Sequence, residues 1–215
     1  MNTRRSALPL GRRKEAVWDS WYILELLSVI DREEDISQRS LAARLGIAVG
    51  MANALVKRCI QKGWLKMHAV PTRRYKYYVT PKGLKEKGVL VADYVNLSLS
   101  FFCMARQAFE TSLREAQQKG YKCVCFVGVG ELAEIAMLAV LDTSLEPIAI
   151  LDANFSRDTF VGLPVVKSIG DLPVHAGANC FLLTSSEDAQ SLYDNMLDAV
   201  EGALVAAPAF LKIRN

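Results

Sequence analysis

The sequence predicts an α+β domain of short helices closed by a strand pair, then a long helix, then an α/β domain with a parallel sheet. Three observations carry this. Residues 15–62 show helix-period apolar patterns and are followed by two short runs rich in aromatic and β-branched residues. A second helical pattern begins at Pro81 and persists to Gln118. From Tyr121 short apolar strands alternate with helices, the first pair joined by the glycine turn Gly128-Val129-Gly130.

A chain of 215 residues suits two small domains better than one, and its charge is divided accordingly. Residues 1–90 carry 18 Lys and Arg against 8 Asp and Glu, whereas residues 91–215 carry 8 against 15, so a net charge of +3 hides a basic half and an acidic half. Only the first half suits a polyanionic partner. The 5 cysteines are an odd set without framework spacing, and no charged segment leading into an apolar signal core opens the chain. The expectation is a reduced, cytoplasmic protein. No apolar run approaches about 20 residues, so no membrane span is expected.

Residues 1–14 hold Arg4, Arg5, Arg12, Arg13 and Lys14 among small residues and read as a basic flexible arm able to lie along phosphates, with Arg12 and Arg13 as candidate contacts. Residues 15–80 read as one domain. Its first helix, Glu15 to Ile30, places Val17, Trp21, Leu24 and Leu27 on one face, widened by Ile23, Leu26 and Ile30. A short helix from Ser37 to Leu45 follows, and Gly46 permits a sharp turn. The next helix, Ala48 to Lys62, packs through Ala52, Leu55, Val56, Cys59 and Ile60, leaving Gly50, Asn53, Ala54, Lys57 and Gln61 opposite.

That face is small and polar at its start and cationic further along, which suits a helix entering the major groove of double-stranded DNA by its N-terminal end. Asn53 offers adenine a donor and an acceptor together, and Lys57 and Arg58 suit phosphate or guanine. Leu65 to Val70 and Tyr75 to Thr80 read as a hairpin whose tip holds Pro71, Arg73 and Arg74, two adjacent cations for phosphate or the minor groove. The pattern is a winged helix-turn-helix. The runs ISQRSLAARLGIAVGMANALVKRCIQKGWLK and RRYKYYVTPKGLKEK resemble winged-helix regulators of the MarR type, particularly a bacterial group associated with exopolysaccharide loci, over about residues 16–115. Ala48 departs from the pattern, standing where Ser or Thr would cap the recognition helix.

Residues 81–119 read as a linking and dimerisation helix. Leu90, Tyr94, Leu97, Phe101 and Met104 recur at four- and three-residue intervals as a seam for a second subunit, and Val91, Val95, Phe102 and Phe109 form a second apolar line. A two-fold homodimer would read two half-sites about one DNA turn apart.

Residues 120–215 open as a Rossmann-type βαβ unit: strand Lys122–Val127, the glycine turn, helix Leu132–Leu141, and strand Pro147–Leu151 ending in Asp152. In that reading Gly128 permits the turn, Gly130 admits a pyrophosphate to the helix start at Glu131 and Leu132, and Asp152, 22 residues on, accepts from ribose hydroxyls. Glu131 places a carboxylate beside the phosphates, and Arg157 suits a 2′-phosphate. Gly162 to Val165 precedes a connecting segment. A later strand, Cys180–Leu183, carries Thr184 and Ser185 into the crevice before a helix from Asp188 to Val200.

The order GVGELA, LDAN, GLPV, LLTSSEDAQ and APAFLK resembles the nucleotide domain of the Rex redox-sensing repressors over about residues 121–211, and also the small Rossmann domains of sugar-nucleotide enzymes. The resemblance implies a nucleotide-type effector, NAD(H)-like or a nucleotide sugar. His68 and His175 belong to no metal pattern, and Cys123 and Cys125 read as core. An enzyme is disfavoured because no acid-base set or substrate domain is evident. A nucleotide-dependent enzyme with an accessory DNA-binding domain, and a ligand-free oligomerisation module, stand as the alternatives.

Overall fold

The first helix, α1, spans Leu10–Arg32 in a computed structural model that describes residues 10–33, 35–70, 74–172, 179–200 and 202–214, without the side chains of residues 10–18, 70, 74 and 179. Arg73, His175 and the side chains of Arg12, Arg13 and Arg74 therefore lie outside the described residues. The helix starts earlier than Glu15, taking up the last part of the expected arm. Leu10, Arg12, Arg13 and Lys14 are favourable helix formers, and Gly11 costs only about 1 kcal/mol.

Two compact units emerge, Met1–Ser98 and Leu99–Asn215. In the first, α1 buries Ile23, Leu26, Leu27 and Ile30 against Leu41, Leu55, Val56 and Tyr77. Helix α2, Gln38–Leu45, is capped by the Ser37 hydroxyl, which accepts from the Ser40 N–H at 3.1 Å. It ends at Gly46 with φ +64°, where the Ile47 N–H donates to the Ala42 carbonyl at 3.0 Å. Helix α3, Val49–Gln61, follows at 104° to α2. Strands β1, Leu65–Val70, and β2, Arg74–Val79, pair antiparallel with Leu65 opposite Val79 and Val70 opposite Arg74.

The long helix α4 runs Pro81–Gln118, as the sequence predicts. The Thr80 hydroxyl accepts from the Gly83 N–H at 3.0 Å and donates to the Gly63 carbonyl at 2.6 Å, so one side chain caps α4 and ties it to the chain leaving α3. Gly83 is obligatory for closeness: a Cβ there would stand 2.1 Å from the Trp64 carbonyl oxygen.

The division between units falls inside α4, where the sequence treats residues 81–119 as a separate element. The expectation about membranes also needs correction. By length and composition α4 could cross one: an 18-residue window has mean hydropathy 1.5 and is 6% buried. Asp93, Asn96, Ser98 and Ser100 interrupt the run and keep it from reading as continuous.

The second unit is a six-stranded sheet in the order β5-β6-β4-β3-β7-β8, formed by Cys123–Val127 (β3), Glu146–Leu151 (β4), Thr159–Phe160 (β5), Leu163–Val166 (β6), Asn179–Leu183 (β7) and Leu204–Ala206 (β8). Only β5 is antiparallel to its neighbour. Helix α5, Glu131–Val140, joins β3 to β4, and α6, Ala189–Ala199, joins β7 to β8. Side-chain alternation along β3 divides two cores: Val124 and Phe126 face Phe109, Leu113 and α5, whereas Cys125 and Val127 face Leu183, Met196 and Val205.

The β5–β6 hairpin and β8 were not anticipated. Val161 and Gly162 turn that hairpin at φ +44° and +81°, and a β-branched residue in the left-handed region conceals the turn from sequence reading. Strand β8 has three residues, too few for alternation to register.

Candidate nucleic-acid interface and ligand cleft

Helix α3 buries Ala52, Leu55, Val56 and Cys59 and turns its other face outward. Gly50, Ala54, Lys57, Arg58 and Gln61 are exposed there. The N-cap Ala48 makes no side-chain bond, so the first N–H groups of α3 have no capping side chain.

Two assignments change. Asn53 is half-buried, and its Oδ1 is buried without a hydrogen-bond partner, so the carbonyl end of the carboxamide is turned away from solvent. The Arg58 guanidinium donates to the Asp19 carboxylate at 2.8 Å and so braces α3 on α1. Sequence reasoning also missed Val49 and Met51, both exposed in the first turn of α3. Their signal was an apolar residue where the helix period requires none.

The wing strands put Tyr75 on the surface and Tyr77 in the core, where the Tyr77 hydroxyl accepts from Gln38 Nε2 at 3.1 Å. Burial pushes the Cys59 thiol up to about 11, against a smaller opposing pull from Arg58, which fits a packing role.

Of the expected seam on α4, Leu90 packs partly into the first core and Tyr94 meets Trp21 with ring centroids 5.0 Å apart. Phe101 meets Phe210 at 6.0 Å. Leu97 and Met104 are exposed, and every residue from Val91 to Ser100 is exposed. The second line divides: Phe109 is buried and Phe102 half-buried, whereas Val91 and Val95 face outward.

In the second unit a cleft of about 870 Å³ lies beyond the C-terminal ends of β3, β4, β6 and β7. The strand order reverses there, because β3 lies between β4 and β7. The cleft brings together Gly128, Val129, Gly130, Glu131, Leu132 and Asp152, and from β7 Thr184 and Ser185. Arg157 is exposed and does not line it.

Much of the expected binding chemistry is engaged internally. Asp152 Oδ1 accepts from the N–H groups of Asn154 and Phe155 at 2.9 and 3.0 Å, and Oδ2 accepts from the Val129 N–H at 2.9 Å. The buried Thr184 hydroxyl donates to the Gly128 carbonyl at 2.6 Å and also reaches the Val127 carbonyl at 3.1 Å. Ser185 is the reason for Gly128: a Cβ there would stand 2.6 Å from the Ser185 Cβ, on a backbone with φ +101°. Gly130, with φ +151°, faces open space.

Burial raises the Cys125 and Cys180 thiols to about 12, so these core residues stay protonated at neutral pH. Cys123 is half-buried.

A family model described as winged helix-turn-helix DNA-binding matches residues 22–66, the stretch from α1 to the start of β1. The N-terminal unit is thus a winged-helix domain, and the C-terminal unit is an α/β domain with a mostly parallel sheet. None of the curated proteins matches the chain.

Among solved structures, the PcaV transcriptional regulator from Streptomyces coelicolor is 21% identical, covering 44% of this chain and 79% of its own, with a TM-score of 0.37. Wild-type apo MarR from E. coli is 20% identical over 40% of this chain and 76% of its own, with a TM-score of 0.30. PigF with SAH is 14% identical over 93% of this chain and 72% of its own, with a TM-score of 0.31.

Proposed function

We infer that the protein is a dimeric transcription regulator of the MarR type, without catalytic activity, that presents α3 to the major groove of a near-palindromic operator. The observation that carries this reading is the outward face of α3. Gly50, Ala54 and Lys57 stand exposed on a helix held at 104° to α2, beside a hairpin placed as a wing. Base reading moves from Asn53 toward the apolar start of the helix, where Val49, Met51 and Ala54 suit thymine methyl groups, and Lys57 suits phosphate.

The exposed apolar stretch of α4 around Leu97 supports pairing with a second copy, since so long an uncovered run favours association. The α/β cleft supports an effector site of the nucleotide type, NAD(H)-like or a nucleotide sugar. Support comes from the strand order and its reversal, since in open parallel sheets ligands bind outside the strand ends at such a reversal. An effector would shift operator affinity through different affinities for two states of the dimer.

The test is duplex binding by the full chain across a salt series, with sedimentation in parallel. The reading requires affinity that falls steeply with salt, together with a dimer. Binding indifferent to salt, or none, defeats the DNA assignment. A monomer that persists at micromolar concentration defeats the α4 pairing.

A further inference from the structure

Strands β1 and β2 turn one face into the first core and leave the other to solvent. Their register pairs Leu65 with Val79, Met67 with Tyr77 and Ala69 with Tyr75 on the inner side, where Leu65 and Tyr77 are buried. The outer side therefore carries Lys66 opposite Tyr78 and His68 opposite Lys76. Lys66 and His68 are exposed, and Lys76 and Tyr78 half-buried.

The composition of this hairpin is one-signed. Residues 65–79 hold Lys66, Arg73, Arg74 and Lys76 and no Asp or Glu. Among the described residues the ion pairs engage Arg44, Arg58, Lys87 and Arg106, and neither Lys66 nor Lys76 takes part in one. The basic line also continues from α3: Lys57, Lys62 and Lys66 follow one another along the chain into the hairpin, all exposed.

His68 sits within that line. Its ring meets Tyr78 edge to face, with centroids 5.5 Å apart and planes at 80°, which holds it on the outer side. The charged and titratable groups facing it are Lys66 on its own strand and Lys76 and Tyr78 on β2, with Arg74 at the next outer register position of β2. Like charges directly opposite one another destabilise an antiparallel pair. An imidazolium at His68 is therefore repelled by Lys76 and Lys66 until an anion lies among the three.

We propose that the outer face of the hairpin is a second phosphate-binding surface for double-stranded DNA, with backbone phosphate among Lys66, His68 and Lys76, and that His68 takes up a proton as the DNA docks. This rests on the DNA reading of the first unit and extends it beyond α3 and the hairpin tip. The repeating charge of a duplex suits a row of cations spread along a surface. DNA that favours the charged imidazole must, by linkage, bind more tightly where that imidazole is charged. Affinity therefore rises as pH falls through the range in which imidazoles titrate, about pH 5 to 8.

The experiment is fluorescence anisotropy of the full-length protein with a labelled mixed-sequence duplex of about 40 base pairs, over a salt series at about pH 7.5 and about pH 5.5. An exposed charge pair is worth up to about fivefold in affinity, so the parent should bind about fivefold tighter at the lower pH. His68→Gln should cut that response below about twofold, whereas His175→Gln, at the other histidine of the chain, should retain it. Lys66→Gln/Lys76→Gln should weaken binding and reduce the salt slope by about two units, and Lys66→Arg/Lys76→Arg should keep the parent slope. Each variant should keep the melting temperature of the parent, because the side chains replaced lie outside the core.

A salt slope unchanged in the glutamine pair overturns this surface while leaving DNA binding by α3 in place. A pH response that survives His68→Gln overturns the proton uptake. A parent chain without salt-dependent duplex binding removes the DNA reading together with this one.

Discussion

The outward face of α3 and the cleft beyond β3 and β7 hold their functional groups in opposite ways. On α3, Gly50, Ala54 and Lys57 are exposed to solvent, and Arg58 is braced within its own unit by Asp19. In the cleft, Asp152 and Thr184 bond the glycine loop and Ser185 packs against it. A reading surface for a large polyanion needs exposure and tolerates flexible side chains, whereas a small-molecule site needs walls fixed in advance. Substitutions in the cleft should therefore damage folding first, and substitutions on α3 should damage binding alone.

The largest effects fall on two glycines. Gly128→Ala sets a Cβ at 2.6 Å from Ser185 on a backbone with φ +101°, and Gly83→Ala sets one at 2.1 Å from the Trp64 carbonyl. Each should cost about 2–5 kcal/mol, read as a lowered unfolding midpoint in urea. Gly130→Ala meets no atom within 4 Å and should cost only backbone strain, about 1 kcal/mol. Equal losses at Gly128 and Gly130 would break the view that Ser185, rather than a ligand, dictates the first glycine.

Next comes Asp152→Ala, which frees three backbone N–H groups at once. A destabilisation of about 2–3 kcal/mol is expected, with faster hydrogen exchange at Val129, Asn154 and Phe155. A variant of unchanged stability would mean the carboxylate is held for a ligand after all.

These internal bonds explain how far the sequence was legible. Spacing revealed α2, Gly46, α3, the full length of α4 and the strand–turn–helix around Gly128, because each depends on local periodicity or a backbone requirement. It also placed Asp152 near the glycine loop. What it could not show was occupancy: that Asp152 bonds Val129, that Arg58 bonds Asp19, and that Asn53 turns inward, all contacts fixed by tertiary packing. Arg157 failed for a related reason, since a position after β4 in sequence does not bring a side chain into the cleft.

Buried thiols give both units an alkaline limit, through Cys59 in the first and Cys125 and Cys180 in the second. Cys125 and Cys180 ionise near 12 in the folded chain against an ordinary value of 9.0, so the unfolded chain loses their protons first as pH rises. Stability from these thiols is complete below about pH 9 and falls as pH climbs toward 12, by about 1.4 kcal/mol per pH unit for each thiol. Alkaline melting of the Cys125→Ala variant should show a shallower decline than the parent. An identical slope would place the loss elsewhere.

On α3 the expectation is reversed. Lys57→Ala should leave the melting temperature unchanged, weaken binding to all duplexes alike, and reduce the salt slope by about one unit. Loss of preference among sequences would instead make Lys57 a base reader.

The smallest effect distinguishes reader from filler at Asn53. Its buried Oδ1 has no partner, and removing an unsatisfied buried acceptor is close to neutral or mildly stabilising. Asn53→Ala should therefore shift stability by less than about 1 kcal/mol and leave operator preference intact. Met51→Ala, at an exposed site in the first turn, should relax preference at one base pair without changing stability. If Asn53→Ala relaxes preference while Met51→Ala does not, then Asn53 swings out on binding DNA, and the buried Oδ1 is a resting position rather than a fixed one.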